Sequence, residues 1–453
     1  MKGWIQHAWF KQIDIAPLVS FRILFGAATF ISTLRFCLSG WIGEHFIHTH
    51  VQFKYFGFEW LPLLSQQWIY LIHILMLLAS LGILFGAFYR WSAIIFFVLF
   101  TYCELVDITY YLNHYYFVSL VSLMMCIVPA NAAYSVDVWR KPSLGQTLVP
   151  AWSINIFRAQ LIVVYFFAGI AKINYDWLIR ALPLKIWLPA NDTLPVIGWL
   201  FQYDATAYVF SWAGMLFDIS VGYFLCKKET RLWAWLVVVF FHLITGWMFQ
   251  IGVFPMVMIV STLIFFGNTF HHRLLRFFQR IIRMKQVEVS EQNHTPYYQK
   301  PLVKAALTAF FATWFTFQVL FPLRYVLYPG NLYWTEEGYR FSWRVMLMEK
   351  AGTATFYVTD ATTGKEGVVD NAQFLNPHQE KQLSFQPDLI LQYAQFLKTY
   401  YEERGAVVSK VRAEVYVTLN ARPSRLLISD QQNLLELTDS WQHKNWIIPF
   451  ETE

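Results

Sequence analysis

Lys172 closes an apolar run, Leu161-Ile-Val-Val-Tyr-Phe-Phe-Ala-Gly-Ile-Ala171, that belongs inside a bilayer. An ionisable group at that depth costs several kcal/mol and is a functional candidate by default. Desolvation lowers the pKa of a lysine, and a neutral amine is a usable base. The alternative is a lysine near its helix end that extends its ammonium to the interface.

The other polar groups at apparent membrane depth are Arg22, Arg35, His73, Asn113, His114, Arg158, Asp218 and His242. Arg22 and Arg158 lie near expected cytoplasmic ends, where snorkelling or lipid phosphate would satisfy them. His73 reads as a packing residue. Asp218, mid-span, needs a partner, with Arg158 or Lys172 available, and a structural role is favoured. Asn113 and His114 open a span on the same side as Lys172, so the three are expected to line one cavity. An amide, a weak base and a buried amine can orient and deprotonate a phenolic ligand. His114 and His242 are also weighed as axial haem ligands, though two histidines among many spans are weak evidence.

The elements that must carry these groups are membrane helices. The 453-residue chain is 57% hydrophobic, 19% aromatic and 14% charged, too apolar for an ordinary water-soluble domain. Runs of spanning length fall near 18–37, 65–88, 91–108, 113–131, 154–173, 206–226, 231–250, 253–268 and 304–325, nine in all. The expected fold is a polytopic α-helical membrane protein with a membrane domain over 1–325 and a small extramembrane α+β domain over 326–453. In the latter, 341–348, 354–358 and 411–419 alternate as strands, Thr363-Gly364 forms a hairpin turn, and 387–404 is an amphipathic helix closed by Gly405.

The net charge of +6 sits largely in a loop over 271–285, with further basic tracts at Arg90, Arg140-Lys141 and 227–231. Nine alternating spans put all of these on one side, which is cytoplasmic by the positive-inside rule. That reading replaces nucleic-acid binding, makes the bilayer the partner, and puts the C-terminal domain outside. The 271–285 loop has the spacing of an interfacial amphipathic helix. The loops 40–64 and 176–203 are rich in aromatics and suit re-entrant or interfacial segments. Residues 1–17 lack the apolar core of a cleavable signal peptide. The four cysteines have no metal-type spacing, so neither a disulfide framework nor a metal site is expected. Phosphate-loop, dinucleotide, metalloprotease and nucleophile-elbow motifs are absent.

The segment Tyr165-Phe-Phe-Ala-Gly-Ile-Ala-Lys-Ile-Asn-Tyr-Asp-Trp177 resembles the core of the vitamin K-dependent gamma-glutamyl carboxylases and their bacterial relatives, the horizontally transferred transmembrane domain proteins. So do Phe21-Arg-Ile-Leu-Phe-Gly26, Leu112-Asn-His-Tyr115, Phe217-Asp-Ile-Ser220 and Trp334-Thr-Glu-Glu-Gly-Tyr-Arg-Phe-Ser-Trp343, in the same order. The resemblance implies that Lys172 deprotonates vitamin K hydroquinone, or menaquinol, and that Asn113 and His114 hold the quinol. It further implies that the stretch containing Trp334, Tyr339 and Trp343 presents a glutamate-containing peptide or protein, with His242, Asp176 and Trp177 also in substrate binding. Reaction of the quinol anion with O2 yields the epoxide and a base strong enough to take the glutamate γ-proton, and CO2 traps the carbanion. Neither metal nor nicotinamide is required. Two departures stand out: most of the long C-terminal lumenal region of the animal enzymes is not matched, and Glu337 and Gly338 replace apolar or small residues expected near the glutamate-binding stretch. The first suggests a bacterial inner-membrane form with a periplasmic cap, and both make quinol oxygenation the part of the resemblance that carries over more directly than protein carboxylation. The alternative is a quinone- or lipid-binding protein, or a quinol epoxidase, without carboxylation.

Overall fold

The computed structural model describes residues 8–249, 251–282 and 300–450. Residues 1–7, Gln250, the basic positions Arg283 and Lys285, and 451–453 lie outside them.

A short ribbon, β1 (Gln12–Asp14) paired antiparallel with β2 (Leu148–Pro150), ties the N-terminal region to the start of a later helix. The bundle is built from α1 (Ala16–Leu38), α2 (Gln66–Phe85), α3 (Tyr89–Val106), α4 (Asn113–Ile127), α5 (Trp152–Ala171), α6 (Asp204–Cys226), α7 (Arg231–Met248), α8 (Phe254–Thr262), α9 (Asn268–Ile282) and α10 (Pro301–Leu320). Seven of these helices, the last extended to Leu327, are long and apolar enough to cross a membrane among the described residues. The remaining two expected spans are shorter: α4 has 15 residues, and α8 has 9 before a 3-10 turn. At ~1.5 Å per residue neither covers a full ~30 Å hydrocarbon core, so nine full spans are not confirmed among the described residues.

α1 and α5 form the centre, with Leu18, Phe21, Phe25, Ile154, Phe157 and Leu161 almost wholly removed from solvent. The outer faces of α2, α6 and α7 stay apolar and exposed, as at Leu78, Leu216 and Phe240, which is the pattern for a lipid-facing surface rather than a watery one. α9 follows the last short span with Arg273, Arg276 and Phe277 exposed, as expected of an interfacial helix.

The C-terminal domain is a four-stranded antiparallel sheet in the order β4 (Glu366–Val368), β3 (Lys350–Asp360), β5 (Val408–Leu419), β6 (Arg425–Leu426). Helices α11 (Pro377–Leu383) and α12 (Pro387–Glu402) accompany it, and Leu389, Tyr393 and Leu397 of α12 join Phe356, Val411 and Val415 in its core. The hairpin at Thr363-Gly364 and the helix ended by left-handed Gly405 form as expected. The strand expected over 341–348 does not. Phe341, Trp343 and Met346 all take positive φ, which no strand accommodates, and the segment is a chain of turns.

This domain caps one end of the bundle. Gln392 exchanges hydrogen bonds with the Lys54 backbone at 2.7 and 2.9 Å, and Gln379 donates to Val51 O and Asp107 Oδ2 at 2.8 and 3.0 Å. Asp176 holds Arg422 through two bonds of 2.7 and 2.6 Å and accepts from Asn420 at 2.8 Å.

Candidate functional site

Between the capped end of the bundle and the cap lies a cavity of about 1000 Å3, at the upper end of the usual size for small-molecule sites. Its membrane-side wall is mainly aromatic, with Phe36, Trp41, Tyr115 and Phe254. The cap side supplies charge through Glu336, Arg340, Arg344 and Lys350. An apolar ring system and an anionic group therefore find complementary walls in one chamber.

Asn113 and His114 sit on that wall at the first turn of α4. The Asn113 amide is fixed at both ends: Nδ2 donates to Arg344 O at 3.0 Å, and Oδ1 accepts from Tyr111 Oη at 3.0 Å. Tyr111 Oη in turn accepts from Phe341 N at 2.8 Å. One asparagine thus pins the turn-rich segment 336–346 to the bundle. The His114 ring packs against Tyr115 and Phe254, with centroids 4.6 and 5.3 Å away.

Lys172 does not line this cavity. It caps the C-terminus of α5, and its arm runs back along the helix so that Nζ donates to Ala168 O at 3.3 Å and to Asp218 Oδ2 at 2.6 Å. Both members of the pair are buried. The helical Cα–Cβ vector points toward the N-terminus, which sends this amine inward and not out to the interface, so snorkelling is overturned for Lys172. It forms an ion pair with Asp218, and α5 and α6 touch closely enough to permit that. A Cβ on Gly169 would sit 2.5 Å from Ile219 Cγ1 and 2.7 Å from Ile219 N. Trp177 covers the amine from the loop side, its ring centroid 5.4 Å from Nζ and its Nε1 donating to Ser211 O at 2.9 Å.

Tyr333 joins the Lys172 turn to the cavity wall. Its hydroxyl donates to Ala171 O at 3.1 Å and receives Asn174 Nδ2 at 3.3 Å and Arg344 Nη1 at 3.4 Å. Deeper in the bundle, His242 Nε2 pairs with Tyr165 Oη at 2.9 Å, and Tyr165 is seven residues before Lys172, on the same stripe of α5. Phe254 stands with its centroid 5.3 Å from the His114 ring and 5.5 Å from the His242 ring. A phenyl group in contact with both imidazoles does not fit a haem between them.

The remaining expected site residues spread out. Tyr339 reaches the cavity. Trp343 is buried beside it, stacked on Tyr116 at 4.9 Å. Trp334 belongs to the cap interior, where its Nε1 donates to Ile448 O at 2.8 Å. Asp176 is engaged at the domain junction by Arg422 and Asn420 rather than at the cavity. Arg22 is corrected outright: it is 0% exposed and donates to the carbonyls of Ala130, Ala133 and Tyr134, so it organises the loop after α4 and meets no lipid phosphate. Arg158 likewise spends two donors on Ile264 O at 3.0 and 2.9 Å. His73 packs as expected, with Nδ1 at 2.8 Å from Ile69 O.

The cap's contribution was missed by the sequence reading. Arg340 clasps Asp388 at 2.5 Å, and Lys350 bonds to Glu336 at 2.9 Å and to Trp334 O at 2.8 Å. Burial pulls Lys350 below the usual lysine range, against the opposing pull of Glu336. Glu337, one of the two departures, faces elsewhere, accepting from His443 Nδ1 at 2.9 Å and Lys444 N at 2.7 Å. The other, Gly338, has φ +81° and no room for a Cβ, which would lie 2.8 Å from Tyr325 Cα.

Two family models cover almost all of this architecture: the HTTM domain over residues 10–270, and the vitamin K-dependent gamma-carboxylase, lumenal domain, over 303–453. The chain belongs to the vitamin K-dependent gamma-carboxylase family. No solved structure matches it. The second match begins inside α10, so the last helix of this carboxylase-family protein goes with its cap in that comparison. With seven helices of spanning length among the described residues, it is an integral membrane member of the carboxylase family.

Proposed function

We propose that this protein couples oxygenation of a vitamin K-type hydroquinone by O2 to γ-carboxylation of glutamate with CO2, at the chamber under the cap. The observation that carries the reading is the chamber itself: about 1000 Å3, aromatic on the membrane side, cationic on the cap side, with Asn113 and His114 on its wall. The aromatic wall suits a lipid-soluble naphthoquinol arriving from the bilayer, and the charged wall suits a peptide carboxylate arriving from the aqueous side. Closing such a chamber excludes water that would quench a carbanion.

Lys172 is the proposed base, with the Asp218 pair as its resting state. An ammonium accepts no proton, so quinol binding must leave the pair's proton on Asp218 Oδ2 and free Lys172 as the neutral amine that then takes the quinol proton. Tyr333, touching both the Lys172 turn and Arg344, is the side chain through which the chamber acts on it. Asn113 and His114 orient the quinol oxygens. The basic residues Arg90, Arg140 and Arg231 lie at the uncapped end of the bundle, which supports a cytoplasmic N-terminal side and a periplasmic cap in a bacterial inner membrane.

Purified protein given reduced vitamin K, O2, labelled bicarbonate and glutamyl peptides tests the reading. Epoxide with fixed label is expected. Epoxide alone marks a quinol epoxidase, and neither product marks a quinone- or lipid-binding protein. Lys172→Ala and Lys350→Ala run side by side identify the base, because Lys350 is the lysine that reaches the chamber wall directly.

A further inference from the structure

The cap side of the chamber wall holds a buried guanidinium whose charge no carboxylate among the described residues balances. Arg344 is 6% exposed and lines the cavity. Its neighbours in the same wall are neutralised, Arg340 by Asp388 and Lys350 by Glu336. Arg344 has no carboxylate partner among the described residues. Its Nε is buried without a hydrogen bond, and its one side-chain bond is the long 3.4 Å contact from Nη1 to Tyr333 Oη. The ring of Tyr325 lies 4.3 Å from its Cζ, covering one face of the guanidinium without supplying an acceptor.

A buried cation left in that state costs stability unless a ligand completes it. The backbone that delivers it is costly as well. Glu336, Phe341, Trp343 and Met346 all adopt positive φ within eleven residues, a region that residues other than glycine rarely occupy. Strain of this kind concentrates at ligand sites. Asn113 then fixes the Arg344 carbonyl against α4, so the fork is held in register with the quinol side of the chamber.

We propose that Arg344 is the carboxylate-binding residue of the chamber, receiving the γ-carboxylate of a glutamyl side chain through its guanidinium. The proposal rests on the function given above and names the group that selects its substrate. The planar fork matches a carboxylate, and a charge-assisted bond of that kind excludes a neutral glutamine. Removing a γ-proton spreads a second negative charge onto the same carboxylate oxygens, so a fixed guanidinium there also favours the transition state over the bound ground state.

Binding, which needs no turnover, tests this separately from the catalytic reading. Full-length protein in nanodiscs is titrated with a fluorescent peptide carrying one internal glutamate, and with its glutamine counterpart. Wild type should bind the glutamyl peptide about tenfold to a hundredfold more tightly, the range for one charge-assisted bond. Arg344→Gln should erase that ratio while retaining affinity for a reduced naphthoquinone, and Arg344→Lys should keep only part of it. A wild type that ignores the difference, or an Arg344→Gln protein that keeps the full ratio, overturns the assignment. Should Arg344→Gln fail to fold, phenylglyoxal labelling of wild type decides, read at Arg344 by mass spectrometry. Protection by the glutamyl but not the glutaminyl peptide supports the site, and equal labelling overturns it.

Discussion

Lys172 Nζ lies 2.6 Å from Asp218 Oδ2, joining α5 to α6 by a buried ion pair. Breaking one side of such a pair strands a charge and costs ~3–5 kcal/mol, whereas replacing both partners by apolar residues is often close to neutral. Lys172→Ala and Asp218→Ala should each lower the melting temperature, and the combined Lys172→Met/Asp218→Leu exchange should recover most of the loss. The combined protein should nevertheless make no epoxide at neutral pH. Lys172→Ala should regain part of its activity at high pH, where bulk base ionises the quinol, and Lys172→Arg should stay inactive because a guanidinium does not deprotonate. Full activity in the combined protein would remove Lys172 from the chemistry.

The Gly169 position decides whether that pair can form at all. A methyl group there overlaps the backbone of Ile219, the residue after Asp218. Gly169→Ala should destabilise by ~1–3 kcal/mol through overpacking and reduce epoxide formation with it. At Gly214 an added Cβ meets Lys172 Cε and Trp177 Cζ2 at 3.9 and 4.0 Å, ordinary contact, so Gly214→Ala should be tolerated. Equal thermal stability of the two variants would show that close approach at Gly169 is not what sets the helix spacing.

Asn113→Ala removes the donor to Arg344 O and the acceptor for Tyr111 Oη. Leaving such groups unsatisfied costs ~1–3 kcal/mol each. The expected result is a rise in KM for both the glutamyl peptide and the quinol, because one side chain registers the two walls. Tyr111→Phe, which also frees Phe341 N, should raise the peptide KM more than the quinol KM. An Asn113→Ala enzyme altered in its quinol KM alone would show that the asparagine does not position the cap.

Acid should loosen the cap at Asp176. Burial alone would raise this carboxyl, but the Arg422 guanidinium and the Asn420 amide outweigh it and hold Asp176 below the ordinary carboxylate range. A depressed folded-state pKa contributes stability that is complete above the unfolded value of about 4 and fades as pH falls through the folded one. Limited proteolysis between α10 and β3 should therefore accelerate below about pH 4 in wild type. Asp176→Asn should be cleaved faster at neutral pH and show less change with acid. Identical pH profiles for the two proteins would place the acid sensitivity elsewhere.

Much of the architecture was legible along the chain. Apolar runs located nine of the ten bundle helices because a bilayer demands that each span be apolar along its length, and amphipathic spacing located the tenth, α9. Alternation found β3 and β5, and Gly405 ended α12, since these depend on neighbours in sequence. The failure at 341–348 is instructive: Phe341 and Trp343 have strand-like side chains, but they pack against Tyr111 and Tyr116 from a distant part of the chain, which no local pattern encodes.

Residue types alone marked Lys172, Asn113, His114 and Asp218, because polarity inside an apolar run carries information. Arg340, Arg344 and Lys350 carried none, since a basic residue in an extramembrane stretch is commonplace. Only the tertiary structure made them unusual, by gathering them in one wall, burying Arg344 and Lys350, giving carboxylates to Arg340 and Lys350 and withholding one from Arg344. Arg22, polar in an apolar run like Lys172, shows the limit from the other side: three backbone carbonyls more than a hundred residues away satisfy it. Sequence determined which groups enter the membrane, because the solvent there acts on each residue separately. Which groups meet, and which are left for a ligand, depends on side chains brought together from distant parts of the chain.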